Sequence, residues 1–390
     1  MASATSGYPF GVWMIHFSIK RKNMLEHEMT PKERVMTALR RGQPDMVPWV
    51  ENDIEEEIQI KVMKGRTDFT PGELCRTLGM DGFGYHFPTG GKATAGQSLQ
   101  SGASMKETYY YPKKITFDFV PPWIADMGVD ASSGRTYVKH GLLTSRDSLK
   151  LFDEFLPDPN HQARYDQVAK WIAQYREDYA VFARIRLGTA SMFESMGLDV
   201  FSVMMFEEPD LVKEIHQRFS EWSARVVENL NKLDIDFIWA NDDHADTKAP
   251  WVNTEWYEEF IQPYQMIVTK QIKKPWIFHS DGNLFPILDS LMKLGMTGLH
   301  PIQPAAMDIN KVKAMYGDKV CIIGNIDLDY TLTLGTPEEV EREVKDRIEK
   351  IGKGGGYIIS SANSITDYCK LENVWAMAKT IEKYRRYPAK

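Results

Sequence analysis

The sequence predicts an α/β fold, a closed (β/α)8 barrel, on three observations. From residue 181 to the end, short apolar runs alternate with stretches of helical periodicity. Each run is followed by polar residues, which is how a parallel strand hands over to its crossover helix. Together with runs near 47 and 83, about eight such units fit into about 330 residues, within the size range of a (β/α)8 barrel. A doubly wound open sheet would share this rhythm. No G-x-G-x-x-G or P-loop follows the first strand, so dinucleotide and NTP chemistry have no sequence support.

The elements follow in order. Residues 1–28 read as an N-terminal extension: 8–18 are apolar but precede Lys20-Arg21-Lys22 and lack a small-residue cleavage site, and Met24 or Met29 would serve as a start. The barrel domain spans 29–390. Thr30-Pro31-Lys32-Glu33 predicts an N-capped helix with Pro at its first position, running to about Arg41 and ended by Gly42 and Pro44. Val47–Val50 is a short strand, 54–64 a helix, and 72–87 a helix and then a strand ending in Tyr85-His86-Phe87. Residues 88–146, rich in Gly, Ser, Thr and aromatics, predict a β-rich hairpin excursion that covers a pocket. Residues 147–180 are helical, with a break at Pro157–Pro159. Strands are then expected at 181–187, 235–241, 275–279, 297–300, 319–325 and 356–361.

Composition narrows the function classes. The 390 residues are 43% hydrophobic, enough for a large core without disulfides or structural metal. Forty-seven Lys+Arg against 54 Asp+Glu give a net charge of −7, which disfavours generic nucleic-acid binding. No run of about 18 apolar residues exists to span a membrane. Cys75, Cys321 and Cys369 are far apart, excluding a disulfide framework and an all-cysteine zinc site and suiting a reducing cytoplasm.

In a parallel barrel the chemistry collects where strands end. Five expected strands end in Asn241-Asp242-Asp243-His244, His279-Ser280-Asp281, His300-Pro301-Ile302-Gln303, Asn325-Ile326-Asp327 and Ser360-Ser361-Ala362-Asn363. Loop polarity explains part of this, but not an imidazole where a core strand stops, twice. His279, between Trp-Ile-Phe and Ser-Asp-Gly, carries the stronger functional reading. His300 reads equally as a hydrogen-bonded rim histidine, Asp281-Gly282-Asn283 as a turn, Asp327 as a helix cap and His244 as solvent-facing.

These motifs, with Met29-Thr30-Pro31-Lys32-Glu33-Arg34-Val35 and Gly354-Gly355-Gly356-Tyr357-Ile358, resemble the uroporphyrinogen decarboxylase superfamily over roughly residues 29–388. The resemblance implies a (β/α)8 barrel and one of two activities. One branch decarboxylates uroporphyrinogen without cofactor, gripping propionates with an Arg-rich segment after the first strand. Here that segment is Glu51-Asn52-Asp53-Ile54-Glu55-Glu56-Glu57, which would repel a poly-acid. The other branch transfers methyl groups to or from corrinoids with zinc. Its thiol methylases use His-x-Cys and a distant Cys; here Asp281 stands at the first Cys position, and Ser361, Ala362 and Asn363 end the last strand.

The zinc-dependent methyltransferases of bacterial O-demethylase systems carry a Glu-x14-Glu-x20-His pattern, matched here by Asp243-x14-Glu258-x20-His279. The resemblance implies Zn2+ on Asp243, Glu258 and His279, with Asp242 and Glu259 as neighbours able to substitute. Two carboxylates and one imidazole would leave a position open for a methyl ether, whose oxygen zinc would polarise. The methyl acceptor would be Co(I) of cobalamin on a separate corrinoid protein, since the chain has no corrinoid-binding Asp-x-His-x-x-Gly. Asp281 would orient His279 or act as general acid, and Asn325 would assist. Tyr85, His86, Phe87, Met192, Phe193, Trp239, Asn241, His300 and Asn363 are expected around a methoxylated aromatic, with plain core packing the competing role for Met192 and Phe193. Methylamines, halides or thiols as donors, a cofactor-free decarboxylase, and a non-catalytic binding barrel are the alternatives. A homodimer is compatible with the sequence.

Overall fold

The computed structural model describes residues 28–85, 119–129 and 136–387. Its elements in chain order are α1 (Pro31–Leu39), α2 (Glu56–Val62), α3 (Pro71–Leu78), β1 (Gly82–Gly84), β2 (Ala125–Val129), β3 (Thr136–Gly141), α4 (Leu151–Phe155), α5 (Gln162–Tyr175), β4 (Ala180–Ile185), α6 (Thr189–Met196), α7 (Leu198–Glu207), α8 (Pro209–Leu230), β5 (Phe237–Asn241), α9 (Thr254–Phe260), α10 (Gln262–Thr269), β6 (Trp276–His279), α11 (Leu288–Met292), β7 (Gly298–His300), α12 (Ile309–Tyr316), β8 (Cys321–Ile323), α13 (Pro337–Lys350), β9 (Tyr357–Ile358) and α14 (Leu371–Tyr384).

Seven of these strands form one parallel sheet in the order β1-β4-β5-β6-β7-β8-β9. The eighth expected stave, 47–50, lies between the two edges. Trp49 bridges Ile359 in parallel, and Asp81 N donates to Trp49 O at 2.8 Å beside β1. The architecture is the expected TIM-barrel-like α/β fold. β2 and β3 pair antiparallel within the expected excursion; the rest of that excursion up to residue 118, with His86 and Phe87, lies outside the described residues.

Both faces of the sheet are buried, and side-chain alternation sorts its residues into two layers. Phe182, Phe237, Trp239, Ile277, Cys321, Ile323 and Ile358 fill the barrel interior. Val181, Ile238, Phe278, Leu299, Ile322 and Tyr357 point outward into the helix layer. Helix α1 seals the N-terminal end. Its Val35, Ala38 and Leu39 are fully buried in the interior cluster, and Lys32 N donates to Asp178 O just before β4. The predicted cap holds α1 in register: Glu33 N donates to Thr30 Oγ1 at 3.2 Å, and Thr30 N to Glu33 Oε2 at 2.9 Å. Arg34 then ties α1 to Asp45 and Asp81, at 2.7 and 2.5 Å. No helix among the described residues is long and apolar enough to cross a membrane.

Candidate metal centre

Strand register builds the site. Asn241, His279 and His300 are consecutive partners across β5, β6 and β7, so they stand side by side at the C-terminal end of the sheet. Each lies two residues beyond an interior position (Trp239, Ile277 and Gly298), so the pleat turns all three into the barrel mouth. The chain then leaves each strand. Asp243 and Asp281 each sit two residues past a strand end, and Asp281 N donates to Asp243 Oδ1 at 3.0 Å. Gly282 makes that approach feasible. Its φ is +86°, and a Cβ there would lie 2.4 Å from Asp246 O.

Asp243, His279 and Asp281 present ligand atoms that all lie within 4.8 Å of one another, the one such group of three His, Cys, Asp or Glu among the described residues. His279 Nε2 is 3.8 Å from Asp243 Oδ1; the His279 side chain is 5% exposed and that of Asp243 46%, so the group is rooted in the core and open at the mouth. Asn363 Nδ2 donates to Asp281 Oδ2 at 2.6 Å, while Asp281 Oδ1 is buried without a hydrogen-bond partner. Burial pushes the Asp281 carboxyl up to about 6, with His279 acting against the rise and Asp243 adding to it. Two carboxylates, one with a buried oxygen that lacks a partner, and an imidazole at this spacing could hold a cation, and zinc takes such ligands.

Glu258 does not join this group. It projects from α9, where Ser290 Oγ donates to its Oε1 at 2.5 Å and Lys293 Nζ at 2.6 Å, and that pairing holds its carboxyl below its usual range. Asp281 stands where the spacing pattern had placed Glu258. The substitutes also face elsewhere. Asp242 is fully buried and receives Ala190 N at 2.8 Å and Thr189 N at 3.3 Å from the start of α6, plus Gln265 Nε2 at 3.1 Å. Burial pushes its carboxyl up to about 6. Glu259 pairs with Lys213 at 2.7 Å.

The other expected site residues divide. Asn363 reaches Asp281, and Asn241 Nδ2 donates to Asn52 Oδ1 at 3.3 Å, leaving its own Oδ1 buried and unpartnered. Trp239 lies one layer below the mouth, its ring 4.9 Å from that of His300 and edge-on to it. Asn325 is committed at both ends of its amide. Nδ2 donates to Ile302 O at 2.6 Å, and Oδ1 accepts from Arg347 Nε at 2.8 Å, so it braces the loop after β8 against α13. Met192 and Phe193 are core residues, and the Phe193 ring packs on Phe201 and Trp251. Tyr85 packs edge-on against Trp171 in the outer layer. His244 is buried rather than solvent-facing and takes a hydrogen bond from Gln265 Nε2 at 2.8 Å. Asp327 caps a turn, accepting from Asp329 N, Tyr330 N and Thr331 N.

Glu51 was not singled out from the sequence. It is fully buried just past the 47–50 stave and accepts from Trp49 Nε1 at 2.6 Å, Ser361 Oγ at 2.6 Å and Ser360 Oγ at 3.1 Å. Burial lifts its carboxyl to about 7 against these donors. The signal was present: an acid directly after Val-Pro-Trp-Val, at the same rim as the other polar strand ends. Nearby cations are few. Arg184 pairs with Asp53 at 3.0 Å, and Arg186 lies 4.8 Å over the Trp123 ring.

Comparisons with known proteins agree with this fold. The chain is 25% identical over 187 residues to a uroporphyrinogen decarboxylase of Methylococcus capsulatus, covering 46% of this chain and 51% of that protein. It is 23% identical over 128 residues to the methylcobamide:CoM methyltransferase MtaA of Methanosarcina barkeri, covering 33% and 36%. The chain therefore spans about half the length, or less, of these curated relatives. A solved methyltransferase from Methanosarcina mazei superposes with a TM-score of 0.63 at 15% identity, over 92% of this chain and 99% of that one. Residues 143–384 match the uroporphyrinogen decarboxylase (URO-D) family, and the chain belongs to it.

Proposed function

We propose that this protein is a zinc-dependent methyltransferase that moves a methyl group from a methyl ether, in the first instance a methoxylated aromatic, to the Co(I) of a corrinoid carried by a separate protein. The observation that carries the reading is the group Asp243–His279–Asp281, two carboxylates and an imidazole converging at the barrel mouth with one carboxylate oxygen buried and unpartnered. These three side chains would hold the ion, replacing the expected trio that included Glu258. Zinc bound there supplies Lewis acidity toward the ether oxygen, which gains negative charge as its bond to the methyl carbon breaks.

The chain's own residues account for the rest. Asn363 holds the Asp281 carboxylate by Oδ2 and leaves Oδ1 without a hydrogen-bond partner. Asn241 Oδ1, buried and unpartnered beside His279, is an acceptor for a donor on the substrate. The wide exposure of Asp243 keeps the mouth open to a partner protein. A likeness to MtaA, whose name specifies a methylcobamide, supports a corrinoid acceptor.

The names of the decarboxylase relatives favour a second reading, cofactor-free decarboxylation. Against it, the mouth carries Asp243 and Asp281, and Arg184 is already paired with Asp53. A poly-anionic substrate would meet repulsion there. The test is metal analysis of protein purified without chelator, followed by turnover with methoxyarenes plus reduced corrinoid protein and, separately, with uroporphyrinogen. Stoichiometric zinc and methyl transfer, both lost in His279→Ala, are expected. Release of CO2 from uroporphyrinogen by metal-free protein would replace this reading with the second one.

A further inference from the structure

We infer that His300 is a positioning residue that fixes the proton of His279 on Nδ1 and thereby turns the Nε2 lone pair of His279 toward Asp243 and Asp281; the inference rests on the zinc reading above. The geometry is a direct ring-to-ring contact. His279 Nδ1 and His300 Nδ1 are 2.6 Å apart, and the rings stack at 4.9 Å with 30° between their planes. At that separation one nitrogen donates and the other accepts.

The far side of His300 decides which. Its Nε2 lies 3.2 Å from Ser361 O, a carbonyl that can only accept, and 3.4 Å from Ser360 Oγ. The Ser360 hydroxyl gives its proton to Glu51 Oε2 at 3.1 Å, so it too offers His300 only lone pairs. His300 Nε2 must carry a hydrogen. In the neutral ring, the form that full burial favours, a hydrogen on Nε2 leaves Nδ1 a bare acceptor. His279 Nδ1 therefore donates, and His279 Nε2 is left unprotonated, 3.8 Å from Asp243 Oδ1. Apart from the Asp281 N–H on Asp243 and the Asn363 amide on Asp281, the group then consists of acceptors, with Asp281 Oδ1 unpartnered, an arrangement that favours a cation.

The relay is braced at each step. The Trp239 ring meets His300 edge-on at 80°, which blocks rotation of the imidazole. Glu51 accepts Ser361 N at 3.0 Å and Ser361 Oγ at 2.6 Å, which fixes the carbonyl-bearing segment that His300 reads. A metal-ligating histidine commonly donates its second nitrogen to a carboxylate or a carbonyl; here a second histidine, pinned by a carbonyl, takes that place.

The test begins with the metal-free full chain, labelled with 15N-histidine and held near pH 8, where imidazoles are neutral. Long-range 1H–15N correlations, with His279 assigned from His279→Gln, should show a protonated Nδ1 and a bare Nε2. The opposite tautomer would overturn the inference whatever the metal does. Zinc affinity is then measured by chelator competition in His300→Phe and His300→Asn, each checked by thermal unfolding. The Phe variant removes the acceptor and should weaken zinc binding by roughly 10–100-fold. The Asn variant, whose amide oxygen can take the same proton, should recover most of the loss. Undiminished affinity in a folded Phe variant would also overturn the inference. If that variant does not fold, the wild-type spectrum and the Asn variant decide. Wild-type protein with the expected tautomer but no affinity for zinc would refute the metal reading and leave the proton assignment standing.

Discussion

Asp242 and Asp243 are consecutive in sequence and opposite in chemistry. Asp242 turns away from the barrel interior into a shell of donors: two backbone N–H groups at the start of α6 and the Gln265 amide. Gln265 in turn accepts from Tyr257 OH at 2.7 Å and donates to His244. Asp243, one residue on, faces the mouth beside a second carboxylate and an imidazole that offers it a lone pair. Both regions set acids next to buried histidines. The first has a donor for each carboxylate oxygen and so contributes to folding; the second leaves Asp281 Oδ1 buried without one and so favours a ligand. Residue type alone does not separate the two; the count of donors around each does.

The largest effect should come from the donor-poor region. His279→Ala should weaken zinc binding by more than the roughly 10–100-fold typical of losing a supporting partner, read by chelator competition. A crossed pair sharpens the contrast. Asp242→Ala strips the acceptor from the buried start of α6 and should cost about 1–3 kcal/mol in denaturant unfolding while leaving zinc affinity nearly intact. Asp243→Ala should do the reverse, a large loss of zinc affinity with stability within about 0.5 kcal/mol of wild type. If both variants moved the same quantity, the distinction between the regions would be lost.

A pH experiment probes the acid beneath the mouth. The Glu51 carboxyl is raised from 4.5 to about 7, so the folded state holds its proton more tightly than the unfolded state does. Its contribution to stability is complete below about pH 4.5 and is lost as pH rises through about 7. At about 1.4 kcal/mol per unit, that loss reaches up to about 3 kcal/mol in zinc-free protein. Glu51→Gln should flatten this part of the profile, measured by denaturant unfolding at several pH values. The smallest effect is expected at Glu258. Because it pairs with Lys293 on the helix layer, Glu258→Ala should leave zinc affinity unchanged.

Much of this was legible in the chain. The strand positions were, because each is a short apolar run between turn signals, and so was a polar rim, although Asn325, His244 and Asp327 there have structural partners. Asp281 was visible as a rim acid but was given a supporting role. Glu258 entered through linear spacing, and spacing across a loop and into α9 does not fix the direction in which a helical side chain points. Asn325 carried the right polarity in the right place; its commitment depends on Arg347, a residue on α13 that no local pattern ties to it. His244 and Asp242 needed Gln265 and the start of α6, again partners distant in sequence. What the sequence could not supply was the inventory of donors across elements.

Helix α1 has one more consequence. With Val35, Ala38 and Leu39 sealing the base, the barrel is a cup and not a tube. Among the described residues, α1 closes the approach to His279 from below. Under the proposed methyl transfer, a small donor and a bulky partner would share the open end, and initial-rate kinetics should show the small one binding first.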